Sequence, residues 1–292
     1  MTLIDIIEQS AAQLDEAGVS FGHGTDNAFD EACWLALWRL GLPLDDLDAV
    51  AEQALSDESA QAIRALVQER IDRRKPAAYL TREAWLQGVA FYVDERCVVP
   101  RSLIAEILAQ GSLDPWLAAD ARCALDLGTG NGSLAILAAQ HYPELALDAS
   151  DISSDALAVA AINIARHQLE SRIRLIQADG LPAPKSLPHR RYDLILCNPP
   201  YVNEQSMESL PAEYRAEPRL ALAGGSDGMD FVRPLLAQAA DHLSDRGLLL
   251  LEIGHERAHF EAAFPRLSPL WLATSGGQDQ VLLLERQALL TP

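Results

Sequence analysis

Asn198-Pro-Pro-Tyr201 is the segment of this chain whose residue types are best suited to chemistry. It follows the apolar run Tyr192-Asp-Leu-Ile-Leu-Cys197, which predicts a loop at the carboxyl edge of a strand. The Asn198 side-chain oxygen and the Pro199 carbonyl are two acceptors on adjacent residues, a spacing that fits the two N–H groups of one planar NH₂. The prolines stiffen the turn, and Tyr201 offers a face for a flat amide or base. Upstream, Asp126-Leu-Gly-Thr-Gly-Asn-Gly132 follows a short apolar run and opens a helical pattern. Gly128, Gly130 and Gly132 let a ligand approach the backbone where a Cβ would collide. Asp151 stands at the end of the next strand, where an acid accepts hydrogen bonds from both hydroxyls of a ribose. Any one of these segments fits a plain turn, but the three in this order point to a nucleotide-like ligand beside an acceptor nitrogen.

A dinucleotide site usually reads G-x-G-x-x-G, with pyrophosphate on the helix amino end. Here the spacing is G-x-G-x-G with Asp126 just ahead of it. This resembles the cofactor loop of class I S-adenosylmethionine-dependent methyltransferases. Their ligand carries no phosphate and has cationic amino and sulfonium groups, so an acid such as Asp126 nearby makes electrostatic sense. Beside such a methyl donor, Asn-Pro-Pro-Tyr suits methylation of a planar NH₂, a weak nucleophile because its lone pair is delocalised. The two acceptors fix that lone pair toward the donor and stabilise the positive charge that develops on transfer. No strong general base is required beforehand.

Over nearly its whole length the chain resembles the HemK-type protein glutamine methyltransferases, which modify a glutamine side-chain amide nitrogen in a protein of the translation apparatus. The resemblance implies a Rossmann-like, seven-stranded α/β domain behind an amino-terminal helical domain. It implies S-adenosylmethionine as cofactor, S-adenosylhomocysteine as product, and no metal. Asp126, Gly128, Thr129, Gly130, Gly132, Asp151, Ile152 and Asn198 match the family's cofactor contacts, and Asp179-Gly180 its adenine side. Asn198, Pro199, Pro200 and Tyr201 match the glutamine-binding motif, with Asn198, Pro199 and Tyr201 in the catalytic role.

The family has two branches, acting on peptide chain release factors or on the third protein of the large ribosomal subunit. Phe21-Gly-His-Gly-Thr-Asp-Asn-Ala-Phe-Asp-Glu-Ala32 and Tyr92-Val-Asp-Glu-Arg-Cys-Val-Val-Pro-Arg-Ser102 resemble the ribosomal-protein branch. Where the release-factor branch reads Pro-Arg-Pro-Glu-Thr-Glu, this chain has Pro100-Arg-Ser-Leu-Ile-Ala-Glu106, although Leu103 replaces a proline often seen in the ribosomal branch. Two other readings carry less: an adenine exocyclic-amine methyltransferase, which shares the motif, and a non-catalytic binding module. Against the first stands the charge, 23 Lys and Arg against 42 Asp and Glu, a net −19. Such a chain grips phosphate poorly but attracts a basic protein, so no stable nucleic-acid partner is expected. The expected partner is the ribosomal protein before it joins the ribosome.

With 292 residues, 49% of them hydrophobic and 22% charged, the chain has material for two packed domains. Its start lacks the basic and apolar regions of a signal peptide, and no run suits a membrane helix. Four scattered cysteines form no CxxC pair, so a reducing cytoplasm is expected. Helical spacing recurs up to about residue 74, where Pro76 should end the third helix. Residues 1–75 are therefore expected to form a helical substrate-recognition domain, 76–100 a β-hairpin linker turning near Gly88, and 101–292 the catalytic domain. A further helix is predicted from Pro100-Arg101. Strands are predicted at Cys123–Leu127, Leu145–Ala149, Ile173–Ile176, Tyr192–Cys197, Leu248–Ile253 and Val281–Leu284, alternating with helices around a largely parallel sheet.

Other polar residues have plainer readings. His255-Glu-Arg-Ala-His259 matches H-E-x-x-H, but Pro265 permits only a brief helix and no third ligand lies at helical spacing, so solvent-facing histidines are expected. Arg70, Arg73, Arg74 and Lys75 read as solvated cations favoured by a helix carboxyl end. His23 suits loop packing better than substrate contact, and Cys197 is an inert strand residue. Gly224-Gly-Ser-Asp-Gly228 reads as a flexible connection at the rim of the site.

Overall fold

The computed structural model describes residues 1–183 and 191–290. Helix α1 (Leu3–Glu16) begins at Thr2, which exchanges hydrogen bonds with Asp5 in a capping box. Asn27 starts α2 (Ala28–Leu40) by accepting from the Asp30 amide at 2.9 Å. A short α3 (Leu47–Val50) precedes α4 (Asp57–Arg73), which Ser56 caps. Leu3, Ile6, Ile7 and Leu14 meet Leu35, Leu37, Ile63 and Val67 in one buried cluster, the core expected from their helical spacing. The third long helix ends before Pro76, at Arg73, because Arg74 turns left-handed at φ +51°. Pro76 instead begins α5 (Ala77–Thr81).

The hairpin follows as β1 (Ala84–Leu86) and β2 (Val89–Phe91), turning through Gln87 and Gly88. The helix expected from Pro100 starts only at Ile104 (α6, Ile104–Ala109). The intervening residues are held otherwise: the Ser102 hydroxyl and the Leu103 and Ile104 amides all converge on the Glu252 carboxylate.

Strands and helices then alternate as β3 (Cys123–Leu127), α7 (Ser133–His141), β4 (Ala146–Asp151), α8 (Ser154–Arg166), β5 (Ile173–Gln177) and β6 (Tyr192–Cys197). Short helices α9 (Glu204–Ser209) and α10 (Ala212–Arg215) lead to α11 (Val232–His242) and β7 (Leu243–Glu252). The chain continues through α12 (Arg257–Ala263), β8 (Leu270–Thr274), β9 (Gly277–Glu285) and α13 (Arg286–Leu289). The seven-stranded sheet runs in the order β5-β4-β3-β6-β7-β9-β8, parallel except for β9, which is antiparallel to both neighbours. Sequence reasoning missed β8, which buries only Leu272 and so has no apolar run to announce it. It also started β7 five residues late, because Leu243 joins the strand by pairing with Tyr192 across a register shift.

Both faces of the sheet are covered. Ala124, Leu194, Leu196 and Leu250 pack with α6 and α7, while Leu125, Ile195, Cys197 and Leu249 pack with α11. The strand order reverses between β3 and β6, so the loops after these two strands open side by side. That reversal is where such sheets bind ligands.

Candidate active site

The loop after β3 brings Gly128, Gly130 and Gly132 to φ of +73°, +54° and +83°. A Cβ on Gly128 or Gly130 would meet nothing within 4 Å, so both line open space. Gly132 differs: a Cβ there would stand 3.2 Å from the Ala160 Cβ, so its smallness serves the packing of α7 against α8. Asp126 lies beneath the loop, 1% exposed, accepting from Thr129 Oγ1 at 2.6 Å and the Ala135 amide at 3.0 Å. Burial pushes its carboxyl up to about 6 against those two hydrogen bonds. It pins the loop to α7 from behind rather than lining the cavity. Asp151, at the end of β4, accepts from the Gly130 amide and the Ser153 amide, both at 2.9 Å, and is fixed before any ligand arrives.

Two cavities meet at Asn198. One is lined by Gly128, Gly130, Asp151, Ile152, Asp179 and Gly180, with Pro200 and the segment Arg96–Val98 closing it. The other is lined by Thr129, Pro199 and Tyr201 together with Arg101, Tyr214 and His255. Asn198 and Gly128 border both. Among the described residues no group hydrogen-bonds the Asn198 side chain, which leaves its amide available between the two spaces. Of the residues expected from sequence to touch cofactor or glutamine, Asp126 and Gly132 line neither cavity, and the others each line at least one.

Tyr201 is held hard. Its hydroxyl approaches Glu252 Oε1 at 3.3 Å, and a Cβ on Gly254 would stand 2.5 Å from its ring. Gly224 and Gly228 leave no more room: Cβ atoms there would come within 2.7 Å of Tyr201 Cα and 2.4 Å of its carbonyl oxygen. Gly224-Gly-Ser-Asp-Gly228 is therefore a close backbone clamp on the motif, not the flexible connection expected, because the chain returns to pair with Val202 through Leu222 and Gly224. Glu252, 3% exposed and raised in pKa by burial, ties Tyr201 to Ser102 at 2.6 Å. Sequence reasoning missed it, although it is the lone acid at the end of the run Leu248–Ile253.

The largest correction concerns Arg70. It is wholly buried, and its guanidinium donates to Glu31 Oε1 at 2.8 Å, Glu213 Oε1 at 3.1 Å and the Ser20 carbonyl at 2.9 Å. Arg74 also reaches Glu213, at 2.7 Å, whereas Arg73 and Lys75 bind Glu69 and Glu95 near the surface as solvated cations do. Glu213 lies on α10, 143 residues further along the chain, so nothing local to α4 could announce the pairing. Glu217 accepts a bidentate pair from Arg101 at 2.6 and 2.7 Å. Burial opposes its charge, but His23 at 3.6 Å and the Arg101 guanidinium outweigh that and hold it at about 2. His23 itself is 2% exposed and packs on Tyr214.

His255 and His259 are both exposed, and α12 begins only after His255, so the two do not share a helical face. His259 instead meets Glu256 at 2.5 Å. Among the described residues no group of three or more His, Cys, Asp or Glu is placed to hold a metal, and no helix is long and apolar enough to cross a membrane. Cys197 is fully buried, which pushes its thiol far up, and all four cysteines are free.

A seven-stranded sheet with a glycine cradle after β3 and Asn-Pro-Pro-Tyr after β6 defines a methyltransferase of Rossmann-like fold. The family models agree: residues 108–214 match the methyltransferase small domain and residues 5–81 the PrmC N-terminal domain. The chain is 52% identical to the ribosomal protein uL3 glutamine methyltransferase of Bordetella pertussis, over 99% of this chain and 97% of that one. With the protein of the same name from Burkholderia pseudomallei it shares 48% identity, over 99% and 95%. It belongs to this family of uL3 glutamine methyltransferases. In fold it is also similar to the hMettl16 catalytic domain solved in complex with an RNA hairpin, at a TM-score of 0.57 and 14% identity, covering 87% of this chain and 90% of that one.

Proposed function

We propose that this protein transfers a methyl group from S-adenosylmethionine to the side-chain amide nitrogen of a glutamine in ribosomal protein uL3. The observation that carries the reading is the uncommitted Asn198 amide, placed where the two cavities meet, in a chain of this family. The cavity fits the cofactor, since the open space over Gly128 and Gly130 is what a Cβ would fill and Asp151 is set for a ribose. Gly128, Thr129, Gly130, Asp151, Ile152, Asp179 and Gly180 would hold it there, with Asp126 and Gly132 supporting the loop from beneath. S-adenosylmethionine supplies an electrophilic methyl group.

The chain's own part is to bind and orient the amide. Asn198 Oδ1 and the Pro199 carbonyl each accept one N–H, which fixes the nitrogen and aims its lone pair at the cofactor cavity. The same acceptors stabilise the positive charge that develops, and one N–H proton then leaves to solvent. Tyr201 and Pro200 shape the slot, stiffened through Glu252 and the glycine clamp.

The division into a helical recognition domain (1–75), a linker (76–100) and a catalytic domain (101–292) is part of this proposal, with Arg96, Cys97 and Val98 of the linker closing the cofactor cavity. A net charge of −19 supports action on the free, basic uL3 in the cytoplasm before ribosome assembly. The test is peptide mass spectrometry of uL3 and a release factor after incubation with S-adenosylmethionine. One methyl on a uL3 glutamine and none on the release factor is the expected result. Methyl on the release factor alone overturns the substrate, and methyl on neither overturns the chemistry.

A further inference from the structure

Tyr214 stands between the acceptor-side cavity and the Phe21–Asn27 loop of the amino-terminal helices. It lines that cavity together with Pro199, Val202, Leu210 and Leu222, a largely apolar wall. From the other side the His23 ring packs against it with centroids 4.3 Å apart, and the Arg101 guanidinium lies 5.3 Å from its centre. Gly22 is closer still: a Cβ there would stand 2.5 Å from the Tyr214 hydroxyl oxygen, but 3.6 Å from the ring carbon that carries it. Both acids that flank Tyr214 in sequence are clasped as well, Glu213 by Arg70 and Arg74 and Glu217 by Arg101. A half-buried ring pinned from so many directions is a built surface and not a loose side chain.

We propose that Tyr214 is a specificity-determining wall of the acceptor pocket, against which the peptide backbone and apolar carbons beside the target glutamine pack. Gly22 and His23 are its positioning residues. This rests on the reading of that cavity as the acceptor site. Arg101 is already neutralised by Glu217, so this part of the wall selects a neutral segment and offers no charge to an acidic one. The helical domain thereby sets the shape of a pocket whose chemistry belongs to the other domain, by pressing on one ring.

The test uses the full-length protein with recombinant uL3, reading KM and kcat for uL3, S-adenosylmethionine affinity by calorimetry, and the melting temperature. Tyr214→Ala should raise KM for uL3 by about tenfold or more while cofactor affinity stays within about twofold. Gly22→Ala places its methyl on the hydroxyl, so it should raise KM similarly from outside the pocket. Adding Tyr214→Phe to Gly22→Ala removes the clashing oxygen, and KM should fall back to that of Tyr214→Phe alone. A merely structural role predicts no such recovery, because the backbone strain of alanine at φ +108° persists in the double variant. An unchanged KM in Tyr214→Ala, or no recovery in the double variant, overturns the wall. If Tyr214→Ala fails to fold, the Gly22→Ala pair decides alone. A parent enzyme that leaves uL3 unmethylated overturns the proposed function itself, an outcome distinct from an active parent indifferent to Tyr214.

Discussion

Replacing Arg70 by methionine removes the central cation of a buried cluster. Glu213 keeps Arg74 at 2.7 Å, so the group left stranded is Glu31, 1% exposed, whose one remaining hydrogen-bond donor among the described residues is the Thr25 hydroxyl at 3.2 Å. Breaking a buried pair from one side costs about 3–5 kcal/mol, because the remaining charge stays out of water without a partner. At about 2–4 °C per kcal/mol for a chain of this size, the melting temperature should fall by about 6–20 °C. A second substitution, Glu31→Gln, removes the stranded charge and should recover more than half of that loss. The pH dependence follows from the direction of the Glu31 shift. Burial already raises its carboxyl above the ordinary 4.5, and Arg70 is the chief group pulling it back, so Arg70→Met raises it further. A raised acid binds more protons in the folded state, which makes folding more favourable as pH falls. The gap in melting temperature between Arg70→Met and the parent should therefore be widest near about pH 8 and narrow toward about pH 5. Scanning calorimetry across that range reads all three effects. A loss of less than about 2 °C, or a gap that widens on acidification, would refute the reasoning.

Other consequences are open to measurement. On the proposed mechanism Asn198→Ala removes an acceptor for the developing charge and should lower kcat by about 30- to 1,000-fold, or 2–4 kcal/mol, in single-turnover methylation of uL3; full turnover would sink the mechanism. Both Gly128→Ala and Gly132→Ala strain a left-handed backbone, but Gly128→Ala also puts a methyl into the proposed cofactor space and should weaken S-adenosylmethionine binding by about tenfold in calorimetry, whereas Gly132→Ala meets Ala160 and should show its effect chiefly as a stability loss of about 1–3 kcal/mol. Glu252→Ala strands the Ser102 hydroxyl and the Leu103 amide (the Ile104 amide keeps Ser102 Oγ at 3.2 Å) and frees Tyr201, so urea unfolding should show a loss of about 2–5 kcal/mol, with kcat reduced as well. With a net charge of −19 facing a basic substrate, kcat/KM for uL3 should fall steadily with added salt; a flat salt profile would count against electrostatic capture.

Local signals made the centre of the site legible. The glycine spacing, the acid ending the next strand and Asn-Pro-Pro-Tyr after an apolar run each reflect geometry settled within a few residues. The buried parallel strands were equally legible, because their continuous apolar runs need no partner to be recognised. The sequence alone therefore determined the class of chemistry, the order of the motifs and the sheet that carries them.

Tertiary structure alone decided which polar residues support that centre. Glu252 serves Ser102 and Tyr201, Glu217 serves Arg101, and Glu213 serves Arg70 and Arg74, each across more than a hundred residues or between motif and strand end. A charged side chain defaults to solvent, and although helical phase sets Arg70 in line with Ile63 and Val67 and turns Arg73 aside, nothing in the sequence of the helix says that a partner waits for it. What lets Arg70 stay buried is a carboxylate brought in on α10, 143 residues along the chain, because burying a charge is tolerable only where an opposite charge is already waiting.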